Sequence, residues 1–138
     1  MLIDSHCHLY LEEFKPDLEA VMQRAFDAGV QKFYLPAIDS NTTDDMLKLE
    51  QVYPGVCIAM TGLHPCSVKD NYEQELRLVE QMLSQRKFAA IGEIGLDLYW
   101  DKTFLKEQYD AFNQQIELAI SYRLPIVIHT REDRKSVV

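Results

Sequence analysis

The chain has 138 residues, the length of one ordinary domain, and its 47% apolar and 26% charged residues exclude a disordered or low-complexity polypeptide. A formal charge of −8 with a pI near 4.9 excludes a basic coat for long duplex nucleic acid and a membrane-surface binder. It does not exclude a nuclease, whose divalent cations neutralise phosphate locally.

In chain order, short apolar runs alternate with segments of helical spacing. Residues 2–6 (LIDSH) read as a buried parallel strand. Leu18, Val21, Met22 and Ala25 then form one apolar stripe of a helix that Gly29 stops. A second strand follows at 32–38. Thr42 and Asp45 have the spacing of a capping box, opening a helix through about Gln51. Residues 56–61 predict a third strand, and Leu76, Val79 and Leu83 a third helix. Residues 88–91 predict the fourth strand. Leu105, Tyr109, Phe112, Ile116, Ala119 and Ile120 mark the fourth and longest helix, and 125–129 the fifth strand. About thirty residues per unit suit βαβ crossovers, which are right-handed and keep the strands parallel.

An eight-stranded barrel takes about 250 residues, so five strands form either an open sheet or part of a barrel. The open sheet calls for a glycine-rich turn after the first strand, where this chain has HCHLYLEEF. The distribution of metal-ligand residue types favours the partial α/β barrel, with about five strands and four helices.

Those residues fall at the carboxyl ends of the runs. Alternation along a strand puts Asp4, His6 and His8 on one face and Cys7 on the other, and two imidazoles so spaced can share a cation. The plainer alternative is that one histidine packs and the other caps a turn. Glu93 lies within AAIGEIGLD, where a carboxylate is costly unless paired or metal-bound, and it suits a bridge between two cations and a catalytic role. A salt bridge to a neighbouring strand is its alternative. Asp97, four residues on and placed in the following loop, either orients a ligand or caps the next turn.

His129 ends the run PIVI and would stand at a strand mouth as a ligand, or in the core with a backbone partner. Arg131 shares its face and offers a fork for phosphate, or pairs with an acid on the rim. His64 follows the third strand and is read as a pocket residue that binds substrate or donates a proton, not as a ligand. Tyr99 and Trp100 could stack on a base, but the more usual role of covering a helix base is expected. The elbow of serine hydrolases, the phosphate-binding glycine loop and the helical zinc-protease motif are all absent.

Cys7, Cys57 and Cys66 are odd in number and form no CxxC pair, which argues against a disulfide framework and fits a reducing cytosol. There is no apolar run of about 18 residues and no basic leader at the start, so the mature protein is expected to begin at or near Met1. Neither a membrane nor an obligate protein partner is inferred.

The segments IDSHCHL, GLHP, AIGEIGLDLYW and LPIVIHTR resemble, in order and spacing over residues 1–131, the TatD family of metal-dependent hydrolases, the TatD-type deoxyribonucleases. The resemblance implies a TIM-like (β/α)8 barrel with two divalent cations (Zn, Mn or Mg). His6 and His8 would bind one metal, Glu93 would bridge and His129 would bind the second, with His64, Asp97 and Arg131 around the pocket. It also implies cleavage of DNA phosphodiester bonds by metal-activated water. A small ester, lactone or amide is the alternative substrate, and an inactive fragment the alternative without activity. The family's further histidine and aspartate lie on later strands than this sequence contains. Residues 1–132 are therefore expected to be the amino-terminal part of a barrel, and 133–138 a tail outside the family sequence. Uncovered edges and faces then predict marginal stability and self-association.

Overall fold

A computed structural model describes residues 1–132; the expectation for residues 133–138 lies outside the described residues. The strands are β1 (Leu2–Asp4), β2 (Val30–Leu35), β3 (Cys57–Ala59), β4 (Ile91–Asp97) and β5 (Ile126–Arg131). Between them run α1 (Leu18–Asp27), α2 (Ser40–Val52), α3 (Tyr72–Gln85) and α4 (Leu105–Tyr122). Short 3-10 turns lie at Glu12–Phe14 and Pro65–Ser67.

All strand pairs are parallel. β1, β2 and β3 form one sheet, with Leu2 opposite Val30, Asp4 opposite Phe33 and Leu35 opposite Ala59. β4 and β5 form a second, from the pair Ile91–Ile126 to the pair Asp97–Arg131. Thr61 joins the two: its N–H donates to Ala90 O at 3.2 Å, and its carbonyl accepts from Gly92 N at 2.8 Å. The result is one arc of five parallel strands in sequence order, part of a (β/α)8 barrel. The helices pack back on it, α1 on β2, α2 on β3 and α4 on β4, over a core that includes Leu35, Met46, Ala59, Ile91 and Ile94.

Several boundaries differ from the sequence reading. β1 ends at Asp4 and not at residue 6, because Asp4 Oδ1 accepts the His6 N–H and Cys7 N donates to Tyr34 O. His6 and His8 therefore project from a bend after the strand. α2 begins at Ser40, where Asp39 caps it by accepting from Asn41 N at 3.1 Å; Thr42 and Asp45 lie inside the helix. β4 occupies 91–97 and not 88–91, which puts Asp97 at the end of the strand and not in the loop. This strand lies tight against β5. Gly95 has φ +145°, and a Cβ there would come within 2.0 Å of the His129 carbonyl oxygen, which only glycine permits. Apolar side chains on the outer strands, Leu2 and Ile3 on β1 with Ile126 and Ile128 on β5, are exposed. Among the described residues no helix is long and apolar enough to cross a membrane, and all three cysteines are free thiols.

Candidate metal centre

Glu93 is the hub. It stands in the middle of β4, buried at 6% exposure, and its two oxygens face different partners. Oε2 lies 3.0 Å from His6 Nε2, 3.4 Å from His8 Nε2 and 3.8 Å from His64 Nε2. Oε1 lies 2.8 Å from His129 Nδ1. Burial alone would raise the Glu93 pKa. The four imidazoles around it, His8 first and then His64, His129 and His6, outweigh burial by favouring the ionised form and hold the carboxyl down at about 2.

Second partners fix which nitrogen of the His8, His64 and His129 rings is open. The Tyr10 hydroxyl donates to Pro36 O, so it accepts from His8 Nδ1 at 2.9 Å, and the His8 proton sits on Nδ1. Its Nε2 lone pair then points toward Glu93, as a ligand nitrogen must. At His129, Asp97 Oδ2 takes Nε2 at 2.8 Å and leaves Nδ1 open on the Glu93 side. His64 is the reverse. Its Nδ1 accepts from Cys66 N at 3.0 Å, so the neutral ring carries its proton on Nε2, facing Glu93. Burial first, opposed by the Glu93 charge and helped by the neighbouring imidazoles, pushes the His64 pKa down to about 4, so the ring is neutral. By distance alone His64 groups with Glu93 and His129, but its tautomer makes it a donor in the pocket.

Asp97 both orients and caps. One oxygen holds His129, and Oδ1 accepts the N–H groups of Tyr99 and Trp100 at 3.1 and 3.3 Å. Burial opposes ionisation, but these bonds still hold the carboxyl below the usual range. Arg131 stands apart from the cluster, its guanidinium 5.4 Å from the Tyr99 ring centre and 5.7 Å from that of Trp100. The two aromatics do not cover a helix base as expected, because Tyr99 is 57% and Trp100 70% exposed.

Two residue types escaped the sequence reading. Gln115 on α4 clamps Leu63, accepting from its N–H at 2.7 Å and donating to its carbonyl at 3.2 Å. Gln108, two helical turns earlier, does the same to Asp97 at 2.9 and 3.2 Å. Both glutamines are buried, and together they fix the backbone at Asp97 and immediately before His64. Tyr10 was missed as well, since its partner Pro36 is distant in sequence.

The donor set fits divalent cations. The ligand atoms of His6, His8 and Glu93 lie within 4.8 Å of one another, as do those of His64, Glu93 and His129. Imidazole nitrogens around a shared carboxylate are the chemistry that zinc-like and manganese-like ions take.

Comparison with known proteins identifies the family of the chain. The family model described as TatD related DNase matches residues 3–138. The uncharacterized metal-dependent hydrolase YabD of Bacillus subtilis is 36% identical over all of this chain and 54% of its own length. The crystal structure of the TatD homolog YjjV from Escherichia coli superposes with a TM-score of 0.87 at 37% identity, covering 95% of this chain and 51% of that one. A protein of Yersinia pseudotuberculosis named 3'-5' ssDNA/RNA exonuclease TatD is 32% identical over 95% of this chain and 50% of its own. The chain thus spans about half the length of the curated relatives it matches. On its sequence, its partial barrel and the match of nearly every residue, the chain belongs to the TatD related DNase family.

Proposed function

We propose that this chain is the amino-terminal part of a metal-dependent phosphodiesterase that cleaves DNA, with His6, His8, Glu93 and His129 holding two divalent cations. One observation carries the reading: the two oxygens of Glu93 face separate imidazole groups, as a bridging carboxylate requires. When bound, such cations supply Lewis-acid polarisation of a phosphoryl oxygen and a water of lowered pKa. Glu93, ionised throughout the neutral range, is the anionic centre of the site and orients the attacking water. Asp97 fixes the His129 ring. His64, neutral with its proton on Nε2, is placed to donate a hydrogen bond to charge developing on a phosphoryl oxygen. Arg131 offers its fork to a neighbouring phosphate. The name of the Yersinia relative supports a single-stranded nucleic acid as substrate.

Calorimetric titration with Zn²⁺, Mn²⁺ and Mg²⁺ tests the site, and labelled oligonucleotides test the reaction. His6→Ala is expected to weaken ion binding about tenfold or more, and Glu93→Gln to abolish ion-dependent cleavage. Identical titrations of wild type and His6→Ala would discard the centre. The net charge of −8 favours a second reading, a small ester, lactone or amide as substrate. Turnover of those compounds with intact oligonucleotides would select it.

A further inference from the structure

We propose that Tyr99, Trp100 and Arg131 form a seat for an unpaired nucleobase of a single-stranded nucleic acid, at the edge of the Glu93 centre. The proposal rests on the nuclease reading and names how that substrate is held. Both rings are largely exposed, in a loop that leaves β4 directly after Asp97. They meet edge to face, with centres 4.7 Å apart and planes at 89°. The Asp97 carboxylate takes both of their backbone N–H groups, so the start of this loop is held from within the site. The same carboxylate touches His129, which touches Glu93. The seat is therefore tied to the reacting centre through two side chains. The indole also walls a cavity of about 300 Å³ that reaches Asp97 and is lined by Cys66, Lys69, Asp101 and Phe104.

The chemistry selects the occupant. A chain with net charge −8 has no general electrostatic grip on a polyanion, so contacts that do not depend on charge gain weight. Base stacking on an aromatic face is such a contact, and it tolerates any base. Arg131 beside both rings adds the cation that strengthens a stack and the fork that takes a phosphate. Duplex bases have no free face, so the seat selects single strands.

Trp100 is the only tryptophan, so its fluorescence reports this seat alone. The full chain is titrated with a short oligothymidylate in EDTA, where no cleavage occurs, and with an abasic strand of equal length. Quenching by the first and none by the second is expected. Anisotropy of a dye-labelled strand should show Trp100→Leu and Tyr99→Leu each weakening binding about tenfold, with Trp100→Phe close to wild type. Circular dichroism checks that the variants fold. Absence of quenching at millimolar strand, equal affinity of the abasic strand, or unchanged affinity of both leucine variants overturns the proposal. Ion-dependent cleavage without quenching sinks the seat and leaves the nuclease standing. Quenching without cleavage under any ion keeps the seat and removes the nuclease activity from this chain.

Discussion

Cys66 shows how far the influence of the centre extends at the scale of a single residue. Its thiol is pushed up to about 11, first by burial and then by its hydrogen bond to Asp97. Only the thiolate reacts with alkylating agents, so at pH 8 labelling should run about a hundredfold slower than at an ordinary thiol. The rate should keep climbing roughly tenfold per pH unit beyond pH 9, where a free thiol levels off. Asp97→Asn removes the acceptor charge and is expected to bring the plateau to lower pH. Peptide-level mass spectrometry after timed iodoacetamide exposure measures this, and a wild-type plateau near pH 9 would contradict the assignment. Glu93 is the counter-case. Burial opposes its charged form too, and more fully than at the exposed Cys66, but four imidazoles reverse the outcome.

At the scale of elements, α4 aligns the site through two backbone clamps. Gln115→Leu fills similar space but strands the Leu63 N–H and carbonyl in a buried place, at a cost of about 1–3 kcal/mol for each group. Urea denaturation should report a loss of that order, and a loss below about 0.5 kcal/mol would show that the clamp is dispensable. This clamp was illegible in the sequence because polar residues on an amphipathic helix read as its solvent face. The strand boundaries failed for related reasons. The run at 88–91 is apolar, so it looked like the strand, whereas GEIGLD carries two glycines and two acids. It is nevertheless β4, because Gly95 permits the close approach to β5 and both acids find imidazoles. That His6, His8, Glu93 and His129 gather at one place was legible because a donor at the end of an apolar run survives an error of several residues in the run. Tyr99 and Trp100 were misjudged because exposure of a loop ring depends on what packs over it.

On the scale of the whole molecule, among the described residues β1 and β5 each pair with a strand on one side only. Leu2 and Ile3 on β1 are at least half exposed, and Ile126 and Ile128 on β5 more than a third. Unpaired strand edges with apolar side chains template association. Sedimentation velocity should therefore show the weight-average mass rising with concentration, and Ile3→Lys with Ile128→Lys should suppress the rise. A concentration-independent monomer with a sharp cooperative melt would contradict this.

The hub at Glu93 ties the loop after β1 to the strand at the other end of the arc, so its partners run from residue 6 to residue 129. No part of the chain short of nearly all its described length can assemble that cluster. Contacts so distant in sequence are among the last a folding chain closes. The imidazole signals in a proton spectrum are therefore a completion gauge: they reach their native positions only when every intervening unit has docked, and a single proteolytic cut that lets either end drift away would erase them all together.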